Sequence, residues 1–544
     1  MHFEVIKFLQ KGSKQTGHKI LIASLIAGIS NGLIIVIINN ASQNYAELNF
    51  RYLLLFALSV LALALTRKYT LYETSAIART ALSMTNVRIA DKIRRSNLAI
   101  FEHVGKPRIL TTLSEDTELI FEATRRIANG AVASIMLLFS FAYMAWLSSV
   151  AFWLSIAVIV SGVVVYLFIQ RTINAELRVS EEKEHEFIDS LNHLLEGFKE
   201  LKVNREKSDD LFHNYMEKIS MSAREVRMGT ESRFISSIIF SQVFVLILIA
   251  SIIFLLPQMA SSSPQLIVSL VAVLIFIVGP LGFVVEAVPV ISEANVAVKK
   301  LGELEAIFDK ADDIGQTSSY GPLQSKTTFD SITLERASFS YISDDNDKLF
   351  SVGPVDLVVK KGEIVFFVGG NGSGKTTLLK LLAGLYYPQQ GVLYLDDVPV
   401  NMTNRDYYRN FFSIIFSDFH LFDRLYGIKN VDENRINRLL NETELSGKIT
   451  YSNGKFSNIN LSTGQRKRLA LVVALMEDRP IYVLDEVAAD QDPGFRKYFY
   501  EEMLQELKNH GKTIIAVSHD DRYFHVADRV IKMDFGSIVE GGRG

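Results

Sequence analysis

Apolar positions fall in long uninterrupted blocks over the first three hundred residues and in short runs thereafter. Six blocks, at about 20–38, 52–66, 131–150, 152–169, 234–256 and 266–290, carry almost no charge. A bilayer core needs roughly 20 apolar residues per helix, so the pattern predicts six spans. The third and fourth blocks meet at Leu147-Ser148-Ser149, which predicts a tight hairpin. Six such blocks rule out a chain made only of buried helices in a water-soluble fold. Basic residues then set the orientation. Arg67, Lys68, Arg79, Arg88, Lys92, Arg94, Arg95, Lys106, Arg108, Arg125 and Arg126 crowd between the second and third spans, whereas 39–50 and 257–265 hold no Lys or Arg. Basic loops stay in the cytoplasm, which places both long loops and both termini inside. Each long loop is about sixty residues and helical in pattern, so spans two to five should continue as helices beyond the bilayer.

Residues 1–19 mix Phe3, Val5, Ile6, Phe8 and Leu9 with Lys7, Lys11, Lys14 and Lys19; they read as a surface-lying amphipathic helix or as a basic tail. Three polar residues in or near the spans, Asn31, Gln242 and Glu286, are candidates to line an internal cavity, because polar groups are costly in lipid. Glu286 lies between Pro280 and Pro289 and fits equally the cytoplasmic end of its helix. Residues 301–328 lose periodicity and read as a linker.

From about 329 the runs shorten and strands alternate with helices, the pattern of an α/β domain on a parallel sheet. The expected division is therefore a membrane domain over 1–300, a linker over 301–328 and a soluble domain over 329–544. Within the last, the apolar run 363–368 leads into Gly369-Gly370-Asn371-Gly372-Ser373-Gly374-Lys375-Thr376, which is followed by the helical run 377–383. Strand, glycine loop and helix aim backbone N–H groups at an anion. Gly369, Gly372 and Gly374 let the loop curl, Asn371 and Thr377 flank the bend, Lys375 reaches terminal phosphates, and the Thr376 hydroxyl suits Mg²⁺. A second apolar strand, 481–486, ends in Asp485-Glu486. Asp485 would join Thr376 in holding the metal, and Glu486 is placed to deprotonate an attacking water. Two adjacent acids could equally open a solvated turn, but not readily with a phosphate loop upstream.

Composition narrows the remaining classes. Hydrophobic residues make up 49% of 544, mean hydropathy is +0.19, and a net charge of −3 gives no argument for nucleic-acid binding. The absence of cysteine excludes disulfides, zinc–thiolate sites and a cysteine nucleophile, and with the last a leader-trimming cysteine peptidase.

Between the two motifs stands Leu461-Ser462-Thr463-Gly464-Gln465 before the helical run 469–476. In this order the motifs resemble those of ATP-binding-cassette (ABC) ATPases, and the resemblance supplies further expectations. Ser462, Gly464 and Gln465 would cap the γ-phosphate of ATP bound to a second cassette, so the site needs a dimer. Tyr341 would stack on adenine, and His519 would contact the γ-phosphate beside Glu486. Residues 489–492 would cross to the partner. The loop that offers a glutamine to Mg²⁺ in the family reads Phe416-Ser417-Asp418-Phe419, so either Ser417 or Asp418 would substitute. Val487 stands where proline is common. Stretches 101–107 with 113–117, and 195–204 with Glu206, resemble the two coupling loops of exporter-type members. The runs 416–422, 485–493 and 518–524 are similar to those of cyclic-peptide and siderophore exporters of Gram-negative bacteria, the syringomycin, pyoverdine-precursor and lasso-peptide microcin type. The resemblance thus implies a six-span helical domain fused to an α/β phosphate-loop ATPase, using ATP and Mg²⁺, as a homodimer in a bacterial inner membrane. Its expected cargo is a cyclic or lasso peptide or a siderophore precursor, with a lipid or lipopeptide flippase as the alternative.

Overall fold

The structure is a computed structural model that describes residue 8 and residues 14–43, 50–260, 262–312, 327–342 and 348–543. The expectation for residues 1–13 lies, apart from Phe8, outside the described residues. Two compact units emerge, one from 1–87 with 111–302, the other from 88–110 with 303–544.

The first unit is helical. Its main helices are Lys14–Gln43, the leading part of Phe50–Arg95, Thr117–Leu147, Ser149–Glu196, Glu217–Ala250, and most of Pro264–Asp312. Among the described residues five helices are long and apolar enough to cross a membrane, and a shorter apolar stretch, Val243–Met259, occupies part of the fifth expected span. The helix Phe50–Arg95 has 46 residues, about 70 Å at 1.5 Å per residue, more than twice the roughly 30 Å of a hydrocarbon core. Spans two and four thus continue as helices past their apolar runs, as expected. Ser148 makes the hairpin between the third and fourth. Its backbone is extended, and its hydroxyl accepts from the Ala151 N–H at 3.2 Å, capping the next helix.

Small residues let helices approach closely here. A Cβ on Gly28 would lie 2.3 Å from Ile135 Cγ2, so Lys14–Gln43 and Thr117–Leu147 meet over bare backbone. Ile35, Leu137, Met144, Leu248, Ile252, Leu270 and Ile277 form the largest buried apolar cluster of this unit. Leu53, Leu54, Leu58, Leu61 and Leu65 remain exposed along Phe50–Arg95, an apolar face that suits lipid and not water.

The second unit holds the sheets. Strands β1 (Ser331–Ile342), β2 (Lys348–Lys360), β3 (Ile364–Val368), β4 (Gln390–Leu395), β5 (Val398–Pro399), β6 (Phe412–Ile415), β7 (Tyr451–Ser452), β8 (Lys455–Phe456), β9 (Ile481–Asp485), β10 (Thr513–Val517), β11 (Arg529–Asp534) and β12 (Ser537–Arg543) follow in order. Six of them make a sheet ordered β12-β11-β3-β10-β9-β6, parallel except for β12, which pairs antiparallel with β11. The sheet is therefore mixed where the sequence pattern predicts a parallel one, and β2-β1-β4-β5 adds an antiparallel sheet. Strands β3, β9 and β10 are almost wholly buried, which is why they read as unbroken apolar runs and not as alternating ones. Pro264–Asp312 carries helix through the start of the 301–328 stretch, while 313–326 lies outside the described residues. Leu301, Leu304 and Phe308 bury one face of that extension, and charge adds to it: Glu305 accepts from Arg88 at 2.6 Å and Lys92 at 2.7 Å, and Lys92 also meets Asp309 at 2.6 Å.

Candidate nucleotide-binding site

Three neighbouring strands of one sheet build the site. Register pairs Phe367 of β3 with Val517 of β10, and Val517 with Asp485 of β9. The loops that follow these strands therefore open side by side at their carboxyl ends, where α/β sheets bind ligands.

The first loop is the glycine stretch. Gly369 has φ +148, and a Cβ there would sit 2.3 Å from the Met533 carbonyl oxygen; Gly374, at φ +99, caps the helix Lys375–Leu382. Larger residues would be strained at both positions. Lys375 is buried and donates to the carbonyls of Gly369 and Gly370 at 3.0 and 2.9 Å. Burial lowers its pKa, opposed by the carboxylates of Glu486 and Asp485. The Ser373 hydroxyl is buried without a hydrogen-bond partner. A cation held on carbonyls and an orphaned hydroxyl at a helix start suit an incoming phosphate chain. Asn371 and Gly372 are exposed at the tip, and Thr377 is buried.

The second loop follows β9. Asp485 is buried and accepts from Thr376 Oγ1 at 3.0 Å. Burial raises its pKa, with the neighbouring Glu486 adding to the rise and hydrogen bonds from Thr376 and Ser417 opposing it. Both candidates on the loop after β6, Ser417 and Asp418, are exposed, and of the two only Ser417 is among the groups that lower the pKa of Asp485. Among the described residues no group of three His, Cys, Asp or Glu could hold a metal by itself. The Thr376–Asp485 oxygen pair instead suits Mg²⁺ that arrives with phosphates and completes its shell from them.

Glu486 adopts φ +55, a left-handed backbone uncommon for any residue but glycine, and its carboxylate lies 2.9 Å from His519 Nε2 at the end of β10. Strain of this kind persists only where surrounding contacts enforce it. Lys467 supplies one, donating to the Glu486 carbonyl at 2.8 Å and pairing with Asp490 at 2.6 Å.

Tyr341 is half-buried, and its hydroxyl bonds to those of Thr377 (3.3 Å) and Tyr386 (3.1 Å). Tyr386 stacks on Phe339 at 4.3 Å and donates to Glu102, which also pairs with Lys380 at 2.9 Å. Burial, first, and Glu102 hold the Tyr386 hydroxyl well above the ordinary tyrosine range. Arg405 donates to Asn97 Oδ1 at 2.8 Å and to the Arg95 carbonyl at 3.0 Å. The first long loop therefore carries a short helix, Leu98–Val104, seated on this unit beside the phosphate-loop helix.

Ser462, Gly464 and Gln465 stand apart from these loops. Ser462 and Gln465 form a capping box at the start of Thr463–Glu477, with the Ser462 N–H donating to Gln465 Oε1 at 3.4 Å. Among the described hydrogen bonds none joins these three residues to the phosphate loop. Gln491 is buried and donates to the Gly464 carbonyl at 3.0 Å, and Arg468 donates to Gln491 at 2.8 Å and pairs with Glu444 and Asp492. Lys467, Arg468 and Tyr386 escape sequence reasoning, and Glu102 is found only as part of the stretch 101–107; for the first two the signal is a basic triplet, 466–468, opening an otherwise apolar helix.

In the first unit Asn31 is buried with its Nδ2 unpartnered and faces a cavity, Glu286 is exposed, and the side chain of Gln242 lies outside what is described.

Comparison with known proteins agrees with this geometry. Residues 352–489 match the family model described as ABC transporter. The chain is 34% identical over 532 residues to the ATP-binding protein SyrD of Pseudomonas syringae pv. syringae, covering 95% of this chain and 93% of that one. It is 30% identical over 264 residues to an ATP-dependent lipid A-core flippase of Bordetella avium, covering 45% and 43%. An energy-coupling factor transporter ATP-binding protein, EcfA1 of Mycoplasmoides gallisepticum, is 33% identical over 39% of this chain and 77% of its own.

Proposed function

Because the chain belongs to the ABC transporter family, and so is a membrane protein that hydrolyses ATP to drive transport, we propose that it is a homodimeric exporter of a peptide-like molecule. The substrate class is a cyclic or lasso peptide or a siderophore precursor, moved outward across a bacterial inner membrane with both termini in the cytoplasm. The division we propose is a membrane domain over about 1–300, a linker over 301–328 whose first part is helical, and a cassette over 329–544.

One observation carries the reading: Glu486, held at φ +55 and bonded to His519, follows directly on the Asp485 that Thr376 bonds, while Ser462 is exposed and no described hydrogen bond joins Ser462, Gly464 or Gln465 to the phosphate loop. Glu486 takes a proton from the attacking water, His519 fixes its carboxylate, and Lys375 with the helix N-terminus balances phosphate charge. Thr376 and Asp485, with Ser417 near them, would hold Mg²⁺, which would supply positive charge against that of the phosphates. Tyr341 offers its ring to adenine. Ser462, Gly464 and Gln465 of a second copy close the site from the far side, so ATP binding draws two cassettes together and turns the membrane cavity outward.

Glu486→Gln keeps the shape and removes the base. Turnover should fall by at least about 10²-fold while ATP still binds; near-normal hydrolysis in that variant would sink the assignment. The flippase relatives favour a second reading, transport of a lipid or lipopeptide. Cyclic peptides, lasso peptides and siderophore precursors should stimulate the reconstituted ATPase more than acylated lipids do; the opposite ranking selects the flippase.

A further inference from the structure

Within the helical unit, a cavity of about 280 Å³ opens between Lys14–Gln43, Phe50–Arg95, Thr117–Leu147 and Pro264–Asp312. Three polar side chains enter an otherwise apolar lining: Asn31, Arg67 and Asn129. Asn31 is 9% exposed, and its Nδ2 has no hydrogen-bond partner. A buried amide donor left unmade in a native fold calls for a physical explanation, such as a ligand that arrives later. Arg67 lies at the end of the apolar stretch of its helix, its guanidinium 5.6 Å from the centre of the Phe283 ring. Among the described residues it makes no ion pair. The cavity thus presents one unsatisfied amide donor and a cation against aromatic and aliphatic carbon, with no carboxylate in its lining.

A donor-rich pocket of this kind is complementary to an anion attached to an apolar body. A planar carboxylate matches the guanidinium fork in two parallel hydrogen bonds, and the flanking Phe276 and Phe283 suit the apolar part. A solvated arginine marking the cytoplasmic end of a span would need neither the buried Asn31 donor nor the cavity between them. We propose that this cavity is the subsite for a carboxylate of the transported molecule, with Arg67 and Asn31 binding the anion and Phe276 and Phe283 receiving the neighbouring apolar group. The inference rests on the transporter reading and names one end of its substrate.

The test uses the full chain in phosphatidylcholine nanodiscs. Its probes are two dansyl-labelled apolar hexapeptides that differ only in a C-terminal carboxylate or carboxamide. The carboxylate form should bind at least about tenfold tighter, the gain of one charge-assisted fork. Arg67→Gln should erase that preference, and Arg67→Lys should restore part of it, because the charge returns without the fork. Asn31→Leu should weaken the carboxylate form more than the carboxamide, and it keeps the test open if Arg67→Gln does not fold. Equal binding of the two peptides, no binding of either, or a preference that survives Arg67→Gln overturns the inference. If phosphatidylglycerol in the nanodisc competes the preference away, the anion held is a lipid headgroup, and the inference falls as well. Turnover of the wild type against Glu486→Gln, measured on the same nanodiscs without peptide, separates these failures from a failure of the transporter reading.

Discussion

The chain contains two short loops that each open a helix, 369–374 before Lys375–Leu382 and 461–465 before Thr463–Glu477, and it completes only one of them. Around the phosphate loop almost every partner is local to the fold: Lys375 on two carbonyls, Thr376 on Asp485, Glu486 on His519. Around Ser462 the contacts lead backwards, into a capping box and through Gln491 and Arg468 to the loop behind Glu486, and its outer side stays exposed. A loop that is braced from behind and open in front is shaped to receive something from outside the chain. The difference teaches that the first loop is a complete half of a site, while the second is a half whose counterpart, on the function proposed above, belongs to another copy.

The largest expected effect breaks that comparison directly. Lys375→Ala removes the phosphate cation, Ser462→Arg blocks the open face, and each alone should reduce turnover by about 10²-fold or more. Dimers assembled from one copy of each variant should regain activity, since one site then keeps its wild-type Lys375 and Ser462. If each chain owned a whole site, both copies would be broken and no mixture could recover. Co-expression of two differently tagged chains, purified through both tags, measures this; absence of recovery refutes the shared site.

Much of this was readable in the sequence because each motif is contiguous. The phosphate loop, the Asp485-Glu486 strand end and the Ser462 loop are each written within a few neighbouring residues, and β3 and β9 announce themselves as apolar runs. What joins the motifs is not local. Tyr386 meets Glu102 across 284 positions and Arg405 meets Asn97 across 308, and no periodicity carries such pairings. Residues 301–312 read as linker yet are helical: Leu301, Leu304 and Phe308 recur at helical spacing and are buried, and Glu305 and Asp309 also find Lys92 on a distant helix. That the loop carrying Ser417 and Asp418 lies near Asp485 is likewise not local: it follows from the sheet order that places β6 beside β9.

A smaller effect sharpens what else distinguishes the phosphate side. Its helix is tied through Lys380 and Tyr386 to Glu102 of the first long loop, and the Ser462 side has no such tie among the described contacts. Glu102→Ala leaves the Tyr386 hydroxyl and Lys380 without their acceptor, and Tyr341, bonded to Tyr386, loses its brace. ATP affinity measured by nucleotide fluorescence should weaken about threefold, of order one hydrogen bond's net worth. Glu102→Gln keeps one acceptor oxygen where the carboxylate offers Oε1 to Lys380 and Oε2 to Tyr386, so with the amide oxygen turned to Tyr386 it should lie between the alanine variant and wild type. Equal loss in the two variants would show that charge, and not the relay to Tyr341, is what matters.

The smallest effect separates two duties of Ser462 that coincide in one hydroxyl. As N-cap of Thr463–Glu477 it contributes to the stability of the cassette; as the front of an open loop it would bind phosphate from another copy. Ser462→Ala removes both duties, and the loss of the cap alone should cost about 1 kcal/mol in unfolding free energy. Ser462→Asn keeps a side chain that caps as well as serine but is too long for a closely applied phosphate. Its thermal midpoint should therefore match the wild type while turnover falls with that of the alanine variant. Were turnover to follow stability instead, with Asn active and Ala impaired, the hydroxyl would be a cap and nothing more. The two loops would then differ only in exposure, and the phosphate-facing partner would have to be sought at Gly464 and Gln465.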